Sequence, residues 1–338
     1  LQQLDCKIIA TGGNHDSPTM LDAPKEILKA LEMEVIGGLP TNLEDTIIPV
    51  KNKQGKIEVV VAAIPFLRDT DLRTGTSLST YEDRLQAIRE GIKNIFENAS
   101  SICRDKHPDI PVIAMGHLFT AGSDTSESER DIQIGNQAAF NALQFGEHFS
   151  YIALGHIHKP QRVSANIPIF YSGSPLPLSF SEIKDEKRVL ILDTEINWEP
   201  ESIPVPLFRK LIKISGTLSE IQLKLNEVVN VGKLDSLIEI DMIEDQYDAQ
   251  KIYALDQLVN NFDKSGFEIV KQRAQFKNQT KGTSELYAEH QQLEDLKPKD
   301  VFLELIGSHD YNEEQKLEIL SAFDEILEEV QQSEKSAS

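Results

Sequence analysis

Tyr151-Ile152-Ala153-Leu154-Gly155-His156-Ile157-His158 is the stretch from which the fold can be read. A short apolar run suits a buried strand, and this one stops at a glycine followed at once by two histidines. Side chains two apart on an extended chain project to the same side, so a strand continued through His158 would project both imidazoles to one side, within reach of adjacent ions. The design recurs upstream. Lys7-Ile8-Ile9-Ala10-Thr11 runs into Gly12-Gly13-Asn14-His15-Asp16, and Val112-Ile113-Ala114-Met115 runs into Gly116-His117. A fourth run, Val59 to Ile64, lies between them. Ligands in open α/β sheets sit outside the carboxyl ends of the strands, and glycine there lets the backbone turn sharply and approach a bound ion. Neutral imidazoles with an amide oxygen suit Mn²⁺, Fe²⁺ or Zn²⁺ better than Ca²⁺.

Helical patterns separate several of these runs, predicting helices over 23–33, 81–97 and 136–143. Alternating strands and helices imply a layered α/β domain. The later runs Ile167 to Tyr171 and Val189 to Asp193 lack long intervening helices and read as added sheet strands, which extends this domain over 1–205. Pro204 and Pro206 signal a linker. Beyond it the order strand (211–215), helix (218–229), strand (237–242), helix (249–262), strand (267–274) predicts a small α+β domain over 206–276. Residues 277–338 read as a polar linker and two amphipathic helices. The second of these carries Leu317, Leu320, Phe323, Leu327 and Val330 along one stripe at three- and four-residue spacing.

The composition sets bounds on function. With 338 residues, 40% apolar and 26% charged, the chain reads as soluble and multidomain, and no apolar run nears the roughly 18 residues that span a bilayer. Two cysteines, Cys6 and Cys103, make neither a disulfide framework nor a zinc motif, which predicts a reducing, cytoplasmic setting and no membrane. A net charge of -21 opposes nucleic-acid binding by the protein's own surface, because binding replaces counterions with Lys and Arg. Divalent ions concentrated in one cleft locally reverse that sign. The opening residues, without an initiator Met or a leader, are expected to begin within a domain rather than at its natural start.

Gly13 to Pro18 (GNHDSP), Ile64 to Arg68 (IPFLR), Gly116 to Gly122 (GHLFTAG), Arg130 to Gly135 (RDIQIG), Tyr151 to Gln161 (YIALGHIHKPQ) and Tyr171 to Phe180 (YSGSPLPLSF) occur in that order. The spaced GNHD, GH and GHxH strings resemble the calcineurin-like metallophosphoesterases, and the longer strings resemble its SbcD branch of nuclease subunits. The resemblance implies a metallophosphoesterase β-sandwich with flanking helices, incomplete at its N-terminus, then a small α+β cap domain and C-terminal helices. It also implies that an Asp-x-His and a GD motif, carried by two further βα units, precede this sequence. A chain lacking them is expected to be inactive by itself.

By the same resemblance, Asn14, His117 and His156 hold one divalent ion, His158 holds a second, and His15 stabilises the transition state and assists the leaving group. The ions are expected to be Mn²⁺. Arg68, Arg130, Lys159 and Arg162 are candidate contacts to DNA phosphates. The implied activity is 3′–5′ duplex exonuclease and hairpin endonuclease action in DNA repair, with an SbcC-type ATPase docking on the C-terminal helices at Phe323 and Leu327. The implied assembly is a homodimer within a heterotetramer. Two other readings stay open: a metallophosphoesterase acting on a small phosphodiester, and a non-catalytic scaffold that bridges DNA ends.

Overall fold

The computed structural model describes residues 6–72, 81–125, 139–230, 233–262 and 265–277, together with Phe302, Ile306, Leu320 and Phe323. Ile8–Thr11 (β1) pairs in parallel with Met33–Ile36 (β2). Ile47–Lys51 (β3), Ile57–Ala63 (β4), Val112–His117 (β5), Tyr151–Gly155 (β6), Gln161–Val163 (β7) and Ile169–Tyr171 (β8) form a six-stranded sheet in the order β3-β4-β5-β6-β8-β7. The neighbours β4, β5, β6 and β8 run parallel, and β3 and β7 join antiparallel at the two edges. Arg188–Ile191 (β9) and Glu201–Pro204 (β10) make a separate antiparallel pair.

Both faces of the six-stranded sheet are covered, as a parallel sheet requires. Residues Val60, Ala62 and Ile64 belong to the main core with the helix Tyr81–Lys106 (α4). That helix supplies Leu85, Ile88, Ile92, Phe96, Ala99 and Cys103, a buried stripe at three- and four-residue spacing. The alternate residues Val61 and Ala63 pack with Ile48 against Ile9 and Ile36 of β1 and β2. The chain is thus a mixed α/β protein with several sheets and helices.

The four strands read from the first half of the sequence are present to within two residues. Two helices differ. The expected helix over 23–33 is instead Pro18–Asp22 (α1) and Lys25–Lys29 (α2), with Pro24 as the cap between them. Glu32 then takes a left-handed φ of 59°, which reverses the chain so that Met33 enters β2. Pairing with β1 outweighs a helical pattern that single residues only weakly prefer. The described part of the expected 136–143 helix holds a 3₁₀ turn, Ala142–Gln144, capped by the Asn141 side chain; residues 136–138 lie outside the described residues. Helix α4 runs nine residues past its expected end at 97, because Ala99 and Cys103 continue the buried stripe. A further short helix, Asp69–Leu72 (α3), packs against α4.

The second half follows the expected order: Leu211–Gly216 (β11), Leu218–Glu227 (α5), Ser236–Glu244 (β12), Ala249–Asn261 (α6) and Phe267–Phe276 (β13). The strands form a three-stranded sheet, β11-β12-β13. Helix α5 opens on a capping box, in which the Thr217 side chain accepts from Glu220 N–H and Glu220 accepts from Thr217 N–H. Helix α6 opens on Asp248, which accepts from the N–H groups of Gln250 and Lys251. The chain divides into two compact units. One comprises Leu1–Lys213, Val229–Glu239 and Asp263–Val270, and the other comprises Ile214–Val228, Ile240–Phe262 and Lys271–Ser338. In the second unit Phe302 and Phe323 are helical and stack with ring centroids 3.8 Å apart. Most of the two expected C-terminal helices, with Leu327, lies outside the described residues.

Among the described residues no helix is long and apolar enough to cross a membrane.

Candidate functional site

The carboxyl ends of β1, in one sheet, and of the neighbours β5 and β6, in another, supply residues to one cleft of about 200 Å³, which is lined by Asn14, His15, His117, His156 and His158 and also by Ser172, Gly173 and Ser174. The three strand ends singled out in the sequence therefore converge. A tie between loops helps hold them, since Phe66 N–H, just past β4, donates to the carbonyl of Gly12 at 2.8 Å.

His117 stands at the centre. Its Nε2 lies 2.8 Å from Asn14 Oδ1, its ring centroid is 5.5 Å from that of His156, and Phe66 meets it edge-on at 6.0 Å. Burial is the main cause that pushes its pKa down to about 4, and the adjacent His156 adds to the effect. The imidazole is therefore neutral at physiological pH, the form in which it can bind a metal. Glycine makes room for this ring: a Cβ on Gly13 would lie 2.7 Å from His117 Cε1, and one on Gly155 would lie 2.9 Å from its Nδ1. At these two positions the missing side chain accommodates the imidazole between two loops.

His156 departs from the extended path that the sequence suggested. Strand β6 ends at Gly155, and His156 takes a positive φ of 96°, a conformation that costs a non-glycine residue about 1–3 kcal/mol. His156 and His158 still reach the same cleft, but through a strained turn and not through a continued strand. His156 is buried. His158 is less so, and its Nδ1 lies 3.0 Å from Oε1 of Glu182. Glu182 does not line the cleft and carried no signal in the sequence. It is one acidic residue in a Ser- and Pro-rich stretch, and burial is what sets it apart.

His15 is exposed at the cleft mouth. Asp16 turns back and accepts from Gly13 N–H at 2.7 Å, closing the loop that carries Asn14 and His15. The loop after His117 is fixed from below by the fully buried Tyr171. Its hydroxyl donates to Leu118 O at 2.7 Å and accepts from Thr120 N–H at 3.2 Å.

The basic residues named from the sequence are dispersed. Arg68 lines a different cavity, of about 1060 Å³, beside α1, α2 and β3. Lys159 pairs with Asp124 at 2.6 Å, a hydrogen bond that raises its pKa. Arg162 pairs with Glu199 and lies over the Phe170 ring. Arg130 lies outside the described residues.

Neutral imidazole nitrogens and an amide oxygen fit a divalent transition-metal ion in kind, and the 2.8 Å between His117 Nε2 and Asn14 Oδ1 is short enough for both to reach one ion. Asn14 Nδ2 is buried without a hydrogen-bond partner among the described residues. In charge the set is incomplete. Among the described residues no carboxylate lines the cleft, and no three His, Cys, Asp or Glu side chains form a ready metal-holding group.

No family model matches the chain. Curated relatives do. The chain is 34% identical over 206 residues to the SbcD component of the SbcCD nuclease of Rhodobacter capsulatus, covering 59% of this chain and 50% of that protein. It is 32% identical over 255 residues to the protein of that name from Escherichia coli K12, covering 73% and 62%. With the Bacillus subtilis protein of that name it shares 29% over 300 residues, covering 85% and 71%. The chain thus spans between half and just under two thirds of the length of the first two.

Proposed function

Because this chain belongs to the SbcD-type family of nuclease subunits, we propose that its histidine cleft is part of the metal centre of a DNA phosphodiesterase. One observation carries this reading: Asn14, His117, His156 and His158 arrive from three separate strand ends at one cleft, and His117 is held neutral there. Asn14, His117 and His156 would hold one divalent ion and His158 a second, with Mn²⁺ the expected metal. Carboxylates from outside the described residues would complete the charge. Such ions, when bound, lower the pKa of a water and neutralise phosphate oxygens.

The chain's own residues supply orientation and a proton. His15, exposed at the cleft mouth, donates a proton to the leaving 3′ oxygen. Asp16 fixes the loop that places it. Tyr171 and Phe66 hold the His117 loop so that its imidazole need not reorganise when charge develops on the phosphate. Lys159, next in sequence to His158, together with Arg68, Arg130 and Arg162, would contact DNA phosphates, a positioning role without sequence readout.

We further assign the fold as a metallophosphoesterase sandwich with the second α+β unit as its cap. The partner would be an SbcC-type ATPase bound through the C-terminal segment that holds Phe323 and Leu327. The full assembly would be a homodimer within a heterotetramer, acting as a 3′–5′ exonuclease and hairpin endonuclease in DNA repair.

The test is cleavage of an end-labelled DNA hairpin by the protein that carries this chain, with its ATPase partner, in Mn²⁺ and in EDTA. We expect Mn²⁺-dependent cutting that falls at least 100-fold in His15→Ala, in line with the loss of one general acid, and vanishes in His156→Ala. Cleavage of small chromogenic phosphodiesters without cleavage of DNA would overturn the substrate. No cleavage of either would leave a scaffold.

A further inference from the structure

Glu182 is 1% exposed and Lys187 is 7% exposed, an ion pair at 2.6 Å buried beside the cleft without lining it. Burying two charges is unfavourable unless their remaining hydrogen-bonding capacity is met; here Asp185 Oδ2 lies 3.4 Å from Lys187 Nζ, and each member of the pair also contacts His158. Glu182 Oε1 faces His158 Nδ1 at 3.0 Å. Its Oε2 accepts from Lys187 Nζ at 2.6 Å, Leu178 N–H at 3.1 Å and Ser174 Oγ at 3.3 Å. Lys187 Nζ in turn donates to the carbonyl of His158 at 3.1 Å and to Ser174 Oγ at 2.9 Å. Gly173, at a φ of 80°, packs so closely on that carbonyl that a Cβ there would lie 2.6 Å from it. The pair therefore grips His158 twice, by its ring and by its backbone.

His117 is held differently. Its ring nitrogen meets Asn14, itself a cleft residue, whereas His158 is held from behind by a group that does not face the cleft. A carboxylate enclosed by donors can only accept from the imidazole, so Nδ1 must carry the proton, and the nitrogen bonded by one partner fixes what the other nitrogen offers.

We propose that Glu182 is the positioning residue of His158, fixing the ring as the Nδ1–H tautomer with Nε2 as the atom offered to an ion, and that Lys187 anchors Glu182 and the His158 backbone as one unit. The role of Nε2 rests on the metal-centre reading given above; the tautomer does not. Carboxylate or carbonyl groups that orient a ligating histidine in this way typically contribute about 10–100-fold in metal affinity.

The deciding experiment is long-range ¹H–¹⁵N correlation of the ¹⁵N-histidine-labelled chain without metal, with the His158 signals identified by their loss in His158→Gln. The expected result is an Nδ1–H tautomer at His158, shifting toward the Nε2–H form preferred by free imidazole in Glu182→Gln while the other histidines stay in place. An Nε2–H form in the unsubstituted chain overturns the proposal, and that measurement needs no variant to fold. An unchanged His158 signal in a folded Glu182→Gln chain overturns it equally. Mn²⁺ titration of the protein that carries this chain should show an affinity about 10–100-fold weaker in Glu182→Gln. If the tautomer is as expected and no Mn²⁺ binds to that protein with or without the substitution, the metal centre falls and the positioning of His158 stands.

Discussion

His117 lies between two backbones that have no side chain where the ring passes, and its chemistry follows from that enclosure. An alanine at Gly155 would put a Cβ 2.9 Å from Nδ1, closer than the ring can tolerate without moving. Gly155→Ala is expected to destabilise the fold by about 1–3 kcal/mol, as overpacking does, and to weaken Mn²⁺ binding at least tenfold, read by calorimetric titration and denaturant unfolding. Titration of His117 makes a second test. Its pKa lies near 4 in the folded chain against an ordinary 6.5, so between these values the unfolded chain binds more protons. Stability therefore falls as pH drops from about 6.5 toward 4 and is insensitive to this group above 6.5. His117→Asn removes the group, so the stability difference between parent and variant should shift against the parent across that window. A difference that stays flat from pH 7 to pH 4, in urea midpoints, contradicts the neutral buried imidazole.

Elements hold the site through packing. Helix α4 carries Phe96, fully buried, with Phe145 edge-on at 4.9 Å and Phe140 stacked at 6.4 Å. A Cβ on Gly116, the residue before His117, would lie 3.0 Å from the tip of the Phe96 ring. The aromatic cluster thus presses on the end of β5 that presents His117. Phe96→Ala is expected to cost about 3–5 kcal/mol, measured by denaturant unfolding, and to broaden the His117 ring signals. A loss under about 1 kcal/mol would mean that the cluster does not support the strand end. The chain breaks at Pro24 and Glu32 show the converse. There a helix-like pattern gave way to the parallel pair β1 and β2, because strand pairing and burial against Ile48 and Val61 outweighed local preference.

For the whole molecule the dominant number is the net charge of -21. Repulsion from DNA on this scale leaves affinity to bound divalent ions or to a partner. Without either, the chain should show no retention of a duplex oligonucleotide in fluorescence anisotropy at about 0.15 M salt, where exposed charges act over about 8 Å. Micromolar binding in EDTA would show that a basic face of this chain suffices. The pairing of Lys159 with Asp124 and Arg162 with Glu199 agrees with weak intrinsic affinity.

The sequence by itself determined the strand ends and their cargo. Short β-branched runs closed by glycine and followed by Asn or His are local signals, and local signals survive folding. The layout of the second unit was legible for the same reason, since caps such as Thr217 and Asp248 act within one turn. The tertiary structure decided what depends on separation in space. It set the left-handed turn at His156, the two glycines that admit His117, the course of the chain from Pro18 to Ile36, and the buried Glu182 and Lys187 pair behind His158. Glu182 lies 24 residues from the ring it holds. Burial alone makes that contact strong, and burial belongs to the packed chain.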